Sequence, residues 1–157
     1  LRVIRSKASE WKTDPDKVGI MGFSAGGSLS ARISILHYKE TYKPVDSKDS
    51  LSCRPDYTML IYPAYLDQGE NRTLTPELKI NGNVPPVFIF QTSDDTYGNS
   101  ALVMAGALRD AGFHSELHYL SEGGHGYGLR SGNVAAETWP LLAEKWLNKT
   151  IASLTKK

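Results

Sequence analysis

Cysteine is nearly absent. Cys53 is the single thiol in 157 residues, which rules out an internal disulfide and any cysteine-rich metal site. An excess of charge of one sign is absent too: 18 Lys and Arg stand against 17 Asp and Glu, a formal net charge of +1. The two signs are mixed along the chain, leaving no electrostatic footprint for nucleic acid or an acidic membrane surface. No apolar run approaches the ~20 residues needed to cross a bilayer. No H-E-x-x-H or comparable spacing pairs metal ligands, which argues against a metal-dependent hydrolase. There is no internal repeat, no low-complexity tract and no signal-peptide pattern, and the first residue is Leu1 rather than methionine. The length suits one domain, able to bury roughly 70% of its unfolded surface.

What is present alternates between short apolar runs and amphipathic stretches. Leu1 to Trp11 reads as helical, with Val3, Ile4, Ala8 and Trp11 on one side, and Thr13-Asp14-Pro15 ends it. Lys17 to Phe23 reads as a buried strand and Ser24 to His37 as a helix with Leu29, Ile33 and Leu36 at core spacing. Tyr42 to Pro55 is a polar, proline-punctuated loop, and Tyr57 to Tyr62 a second strand. Ala64 to Val84 is irregular, with a helical turn near Pro76 to Leu78. Val87 to Gln91 is a third strand, Asn99 to Ala111 a helix closed by Gly112, and Ser115 to Leu120 a fourth strand. Trp139 to Leu154 reads as a closing helix with Pro140 in its first turn. Strands alternating with helices predict an α/β fold with a parallel sheet of about four strands.

The most informative run is Gly22-Phe23-Ser24-Ala25-Gly26-Gly27. It lies between a predicted strand and a predicted helix, the context of a G-x-S-x-G nucleophile elbow. Such a tight turn needs flanking positions without bulk, which glycine supplies. A chance occurrence in a chain this long is expected on the order of 0.1 times, so the partners must carry the rest. The backbone N–H of Ala25, opening the helix, would face developing negative charge. A serine nucleophile needs a base, and the base needs a third group to orient it. His125 lies in Gly123-Gly124-His125-Gly126-Tyr127-Gly128, after the fourth strand. Asp94 and Asp95 follow the third. Of the two, Asp95 is favoured as the acid and Asp94 as a brace of the turn. All three residue types then fall beyond the carboxyl ends of parallel strands, where such sheets bind ligands. The other histidines, His37, His114 and His118, are read as structural.

These residues resemble the C-terminal part of an α/β-hydrolase, near esterases of the acetyl-xylan-esterase and carboxylesterase type. Those are grouped close to dienelactone hydrolases and prolyl-oligopeptidase-like enzymes. The resemblance rests on residues 14–27, Pro85-Pro86-Val87-Phe88, residues 123–130 and Thr138-Trp139-Pro140, in family order. It implies Ser24 as nucleophile, Asp95 as acid, His125 as base and Ala25 as an oxyanion donor, with no cofactor. Family members usually follow the aspartate with proline and a hydrophobic residue. Here Thr96 and Tyr97 follow, so Asp94 stays open as the acid. The family's N-terminal strands and His-Gly-Gly loop, source of a second oxyanion donor, have no counterpart. Residues 1–157 are therefore expected to form one truncated hydrolase domain with a bare strand edge, covered by a second copy or by a separate N-terminal half. The expected substrate is a short acyl ester, such as an acetylated sugar or xylan fragment, with Tyr65 and Tyr127 as candidate pocket residues. Two other readings stand beside it: a prolyl-oligopeptidase-like peptidase, and a truncated hydrolase that assembles and binds without turnover.

Overall fold

The computed structural model describes residues 1–155. Its centre is a four-stranded sheet in the order β1 (Ile20–Phe23), β2 (Thr58–Ile61), β3 (Val87–Thr92) and β4 (Ser115–Leu120). All neighbours are parallel. Side chains alternate across a strand, and each inner strand is apolar on both faces. Leu60 and Ile89 point toward α3 (Ala25–Leu36) and α4 (Asn99–Asp110), meeting Ala31, Ile35, Met104 and Leu108. Met59, Ile61, Phe88 and Phe90 point the other way, onto Trp139, Ala143 and Trp146 of α5 (Val134–Leu154). This is the three-layer α/β arrangement that the alternating pattern predicts. Gly112, at φ 80°, closes α4 as expected, with the Phe113 N–H on Leu108 O at 2.8 Å.

The first helical stretch differs from expectation. It is two short helices, α1 (Arg2–Ser6) and α2 (Ala8–Trp11), broken at Lys7. Of its supposed apolar side only Ala8 is buried, while Val3 and Trp11 are half exposed. A polar anchor holds α1 instead: the Arg5 guanidinium reaches the carbonyls of Arg54 and Pro15 and the Asp56 carboxylate. The closing helix starts five residues earlier than predicted. Asn133 caps it by accepting the Ala136 N–H at 3.1 Å, and Glu137 accepts the Gly132 N–H at 2.7 Å. Pro140 therefore lies inside the helix, not in its first turn. Pro76 to Leu78 is only a turn, whereas a 3₁₀ turn forms at Glu70–Arg72 and another at Ser47–Ser50.

Register aligns the strand ends. Phe23 pairs with Ile61 and Ile61 with Phe90, so β1 and β2 end side by side while β3 runs on to Thr92. Among the described residues β1 pairs only with β2, leaving its other edge bare.

Candidate active site

The turn after β1 is built around one strained residue. Ser24 has φ 52° and ψ −120°, a backbone state costly to a side chain and held only by its surroundings. Its N–H continues the ladder onto Ile61 O at 3.1 Å. Its carbonyl accepts the N–H groups of Ser28 and Ala64, at 3.2 and 3.1 Å. A Cβ at Gly22 would lie 2.1 Å from Gly26 O, so that glycine is obligatory. The expectation fails at Gly26, where a Cβ would meet nothing within 4 Å. The second close approach is at Gly27, against Pro63 at 3.0 Å. Ala25 is the first residue of α3 and exposed, so its N–H is among the donors that a helix start leaves without intrahelical partners.

The structure brings Ser24, His125 and Asp95 together. Ser24 Oγ lies 2.7 Å from His125 Nε2, and His125 Nδ1 lies 2.7 Å from Asp95 Oδ2. An ionised carboxylate can only accept, so Nδ1 carries the proton and Nε2 faces the serine hydroxyl as acceptor. The Asp95 side chain is 0% exposed and that of His125 30%. The other Asp95 oxygen accepts the Tyr97 N–H at 2.8 Å, which fixes the carboxylate's plane. Asp94 turns away. It accepts the N–H groups of Gly124 and Gly123, at 2.9 and 3.1 Å, and these hold its carboxyl below the usual range. It ties the end of β3 to the loop that carries His125. Gly123, at φ 149°, permits that path, since a Cβ there would lie 2.5 Å from Ala135 Cβ.

Three tyrosines near the relay take different places. Tyr127 is 1% exposed and packs between Tyr62 and Phe90, so it belongs to the core and not to a pocket. Burial pushes its hydroxyl well above the usual range. Tyr62 and Tyr97, neither singled out from sequence, flank the His125 ring at centroid distances of 5.2 and 4.9 Å. Their signal was positional: Tyr62 follows β2 directly and Tyr97 lies two residues beyond Asp95. Tyr65 is 45% exposed beside Tyr97. A cavity of about 740 Å³ lies elsewhere, at the far end of α3 from Ser24, lined by residues such as Ile33, His37, Tyr42 and Cys53.

A sequence profile described as the alpha/beta hydrolase fold matches residues 1–81. The chain belongs to this family. It is 28% identical over 153 residues to the acetylxylan esterase of Xylanibacter ruminicola, covering 82% of this chain and 29% of that protein. It is 29% identical over 146 residues to endo-1,4-beta-xylanase B of Butyrivibrio fibrisolvens, covering 80% and 23%. Among solved structures, the acetyl ester-xyloside bifunctional hydrolase of Caldicellulosiruptor lactoaceticus superposes with a TM-score of 0.80 at 30% identity, over 94% of this chain and 62% of that one. Esterase 2 of Thermogutta terrifontis, phosphorylated by paraoxon, gives a TM-score of 0.78 at 25% identity, over 94% and 59%. This α/β-hydrolase chain thus spans about a quarter of the curated relatives and about three fifths of the solved ones.

Proposed function

We propose that the chain is a serine carboxylic ester hydrolase acting on short acyl esters such as acetylated sugars or xylan fragments. The observation that carries this reading is the unbroken relay Ser24–His125–Asp95, with both contacts at 2.7 Å and its acid fully buried. His125 Nε2 takes the Ser24 hydroxyl proton as Oγ attacks the ester carbonyl. Asp95 stabilises the resulting imidazolium without taking its proton. The tetrahedral oxyanion is met by the Ala25 N–H at the positive end of α3. As the tetrahedral state collapses, His125 returns the proton to the leaving alcohol and an acyl group remains on Ser24. Water then repeats the sequence with His125 as base, releasing the acid and restoring the serine. Acetyl esters are favoured over peptide amides because acetylxylan esterase and acetyl ester-xyloside hydrolase are among the relatives.

The test is hydrolysis of p-nitrophenyl acetate together with paraoxon labelling of the 157-residue chain, read by peptide mass. The expected result is turnover and one diethylphosphoryl group on Ser24. Ser24→Ala should lose the label and on the order of 10⁴-fold or more of the rate. A missing oxyanion donor costs about 10²–10³ in rate, so slow turnover still agrees with the reading. An unlabelled Ser24 with no turnover sinks it and leaves a protein that binds without catalysis.

A further inference from the structure

The relay leaves the His125 side chain 30% exposed. A base that protonates a leaving alcohol must have that alcohol against its ring, so the groups packed on the imidazole decide what the alcohol meets. Tyr62 closes one side and is 5% exposed. On the other, Tyr97 stands 4.9 Å from the ring, and Tyr65 continues outward from Tyr97 at 5.0 Å, the two tyrosines inclined at 69°. Their hydroxyls lie 3.3 Å apart.

Tyr65 does not look like packing. Its neighbours Ala64 and Leu66 are 0% exposed while its own side chain stands in solvent. Its φ is 59°, a state in which a bulky residue persists only when the surroundings impose it. The surroundings do impose it. Tyr65 O accepts the Thr75 hydroxyl at 3.2 Å, and the Leu66 N–H donates to Ser100 Oγ at 3.1 Å. The next residue, Asp67, is buried and accepts from Arg72, Asn99 and Ser100. Asn99 and Ser100 open α4, which starts two residues beyond Tyr97. One hydrogen-bonded cluster therefore fixes both tyrosines.

We propose that Tyr65 and Tyr97 form the subsite for the alcohol part of the ester, and that this part is a sugar ring. The inference rests on the ester-hydrolase reading and names the residues of the same site that receive the sugar alcohol. A pyranose offers an apolar face of C–H groups to an aromatic ring and hydroxyls around its rim. The two phenol groups, each donor and acceptor, match that rim. Aromatic walls with a few placed polar groups are what small-molecule sites use.

The experiment has two arms. In the first, the Ser24→Ala chain, which cannot turn over, is titrated with xylobiose while tyrosine ring resonances are followed by NMR. The Tyr65 and Tyr97 signals should shift with saturation. Tyr65→Ala added to that chain should weaken binding about tenfold, and Tyr65→Phe less, since the ring remains. In the second, the otherwise unaltered chain is compared on acetylated xylobiose and on ethyl acetate, whose alcohol has no ring. Tyr65→Ala should lower kcat/KM on the sugar ester about tenfold more than on ethyl acetate. Xylobiose shifts that miss both tyrosines, or equal losses on the two esters, overturn the subsite. Failure of the ester-hydrolase reading is separate: the parent is then inert to ethyl acetate and paraoxon, and the xylobiose titration alone decides the subsite.

Discussion

Asp94 and Asp95 carry the same side chain one residue apart, and the chain turns them to opposite tasks. Asp95 is sealed from solvent with one oxygen on His125 and the other on a backbone N–H. Asp94 is exposed and holds two glycine N–H groups of the histidine loop. Asp95→Asn replaces an acceptor by a donor in front of Nδ1 and favours the wrong imidazole tautomer. It should lower kcat for p-nitrophenyl acetate on the order of 10³–10⁴-fold. Asp94→Asn keeps one acceptor for the loop and should cost about tenfold or less, the size of a positioning defect. A larger loss in Asp94→Asn would reverse the assignment, and equal losses would remove it. The residue types at the strand ends were legible because parallel strands deliver their carboxyl ends to one edge. For the two aspartates the sequence favours Asp95 as the acid but leaves Asp94 open, because the choice depends on how two successive peptides turn. Tyr62 and Tyr97 escaped for a similar reason: no spacing rule marks a ring that packs on a histidine 63 or 28 positions away in sequence.

In α3 the buried side is Gly27, Ser28, Ser30, Ala31, Ser34 and Ile35, and Leu29, expected at core spacing, is 58% exposed; the strands, α4 and the extent of α3 were readable from the sequence pattern. Two elements were not. The sequence reading starts α5 at Trp139, with Pro140 in its first turn, although Asn133 caps the helix six residues before Trp139. The segment between β2 and β3 has almost no regular structure, and its order comes from Asp67, whose partners Asn99 and Ser100 are 32 and 33 residues away. Burial alone would raise the Asp67 carboxyl; hydrogen bonds from Asn99, Arg72 and Ser100, with the Arg72 charge, outweigh it and hold it below the usual range. A folded-state value below the unfolded one stabilises the fold above the unfolded pKa, and that contribution is lost as pH falls through the folded value. Arg72 is 63% exposed, so solvent screens its charge and the hydrogen bonds dominate. Asp67→Asn should therefore cost about 1–3 kcal/mol at neutral pH. Denaturant midpoints of parent and variant, followed downward in pH, should converge once the pH falls below the ordinary carboxylate range. A gap that stays constant into acid would remove the charge from this account.

At the scale of the whole molecule the two edges of the sheet are unlike. Among the described residues β1 has one partner strand, and Met21 on that strand is 48% exposed. An unpaired edge is a row of free N–H and C=O groups, and beside exposed apolar side chains it templates pairing with another chain. Solved relatives of this fold carry chain beyond the matched three fifths. We propose that this edge is covered by a second copy of this chain or by a separate N-terminal half, and sedimentation reads the first of these. Sedimentation velocity between about 1 and 50 µM should then show a concentration-dependent shift from monomer to dimer, since a C2 pairing is the commonest closed assembly. Met21→Lys places a charge on the edge, a standard block to such pairing, and should move the equilibrium toward monomer without altering the far-UV circular dichroism. A parent that sediments as a folded monomer over the whole range would show that the bare edge is tolerated alone and that no second copy covers it.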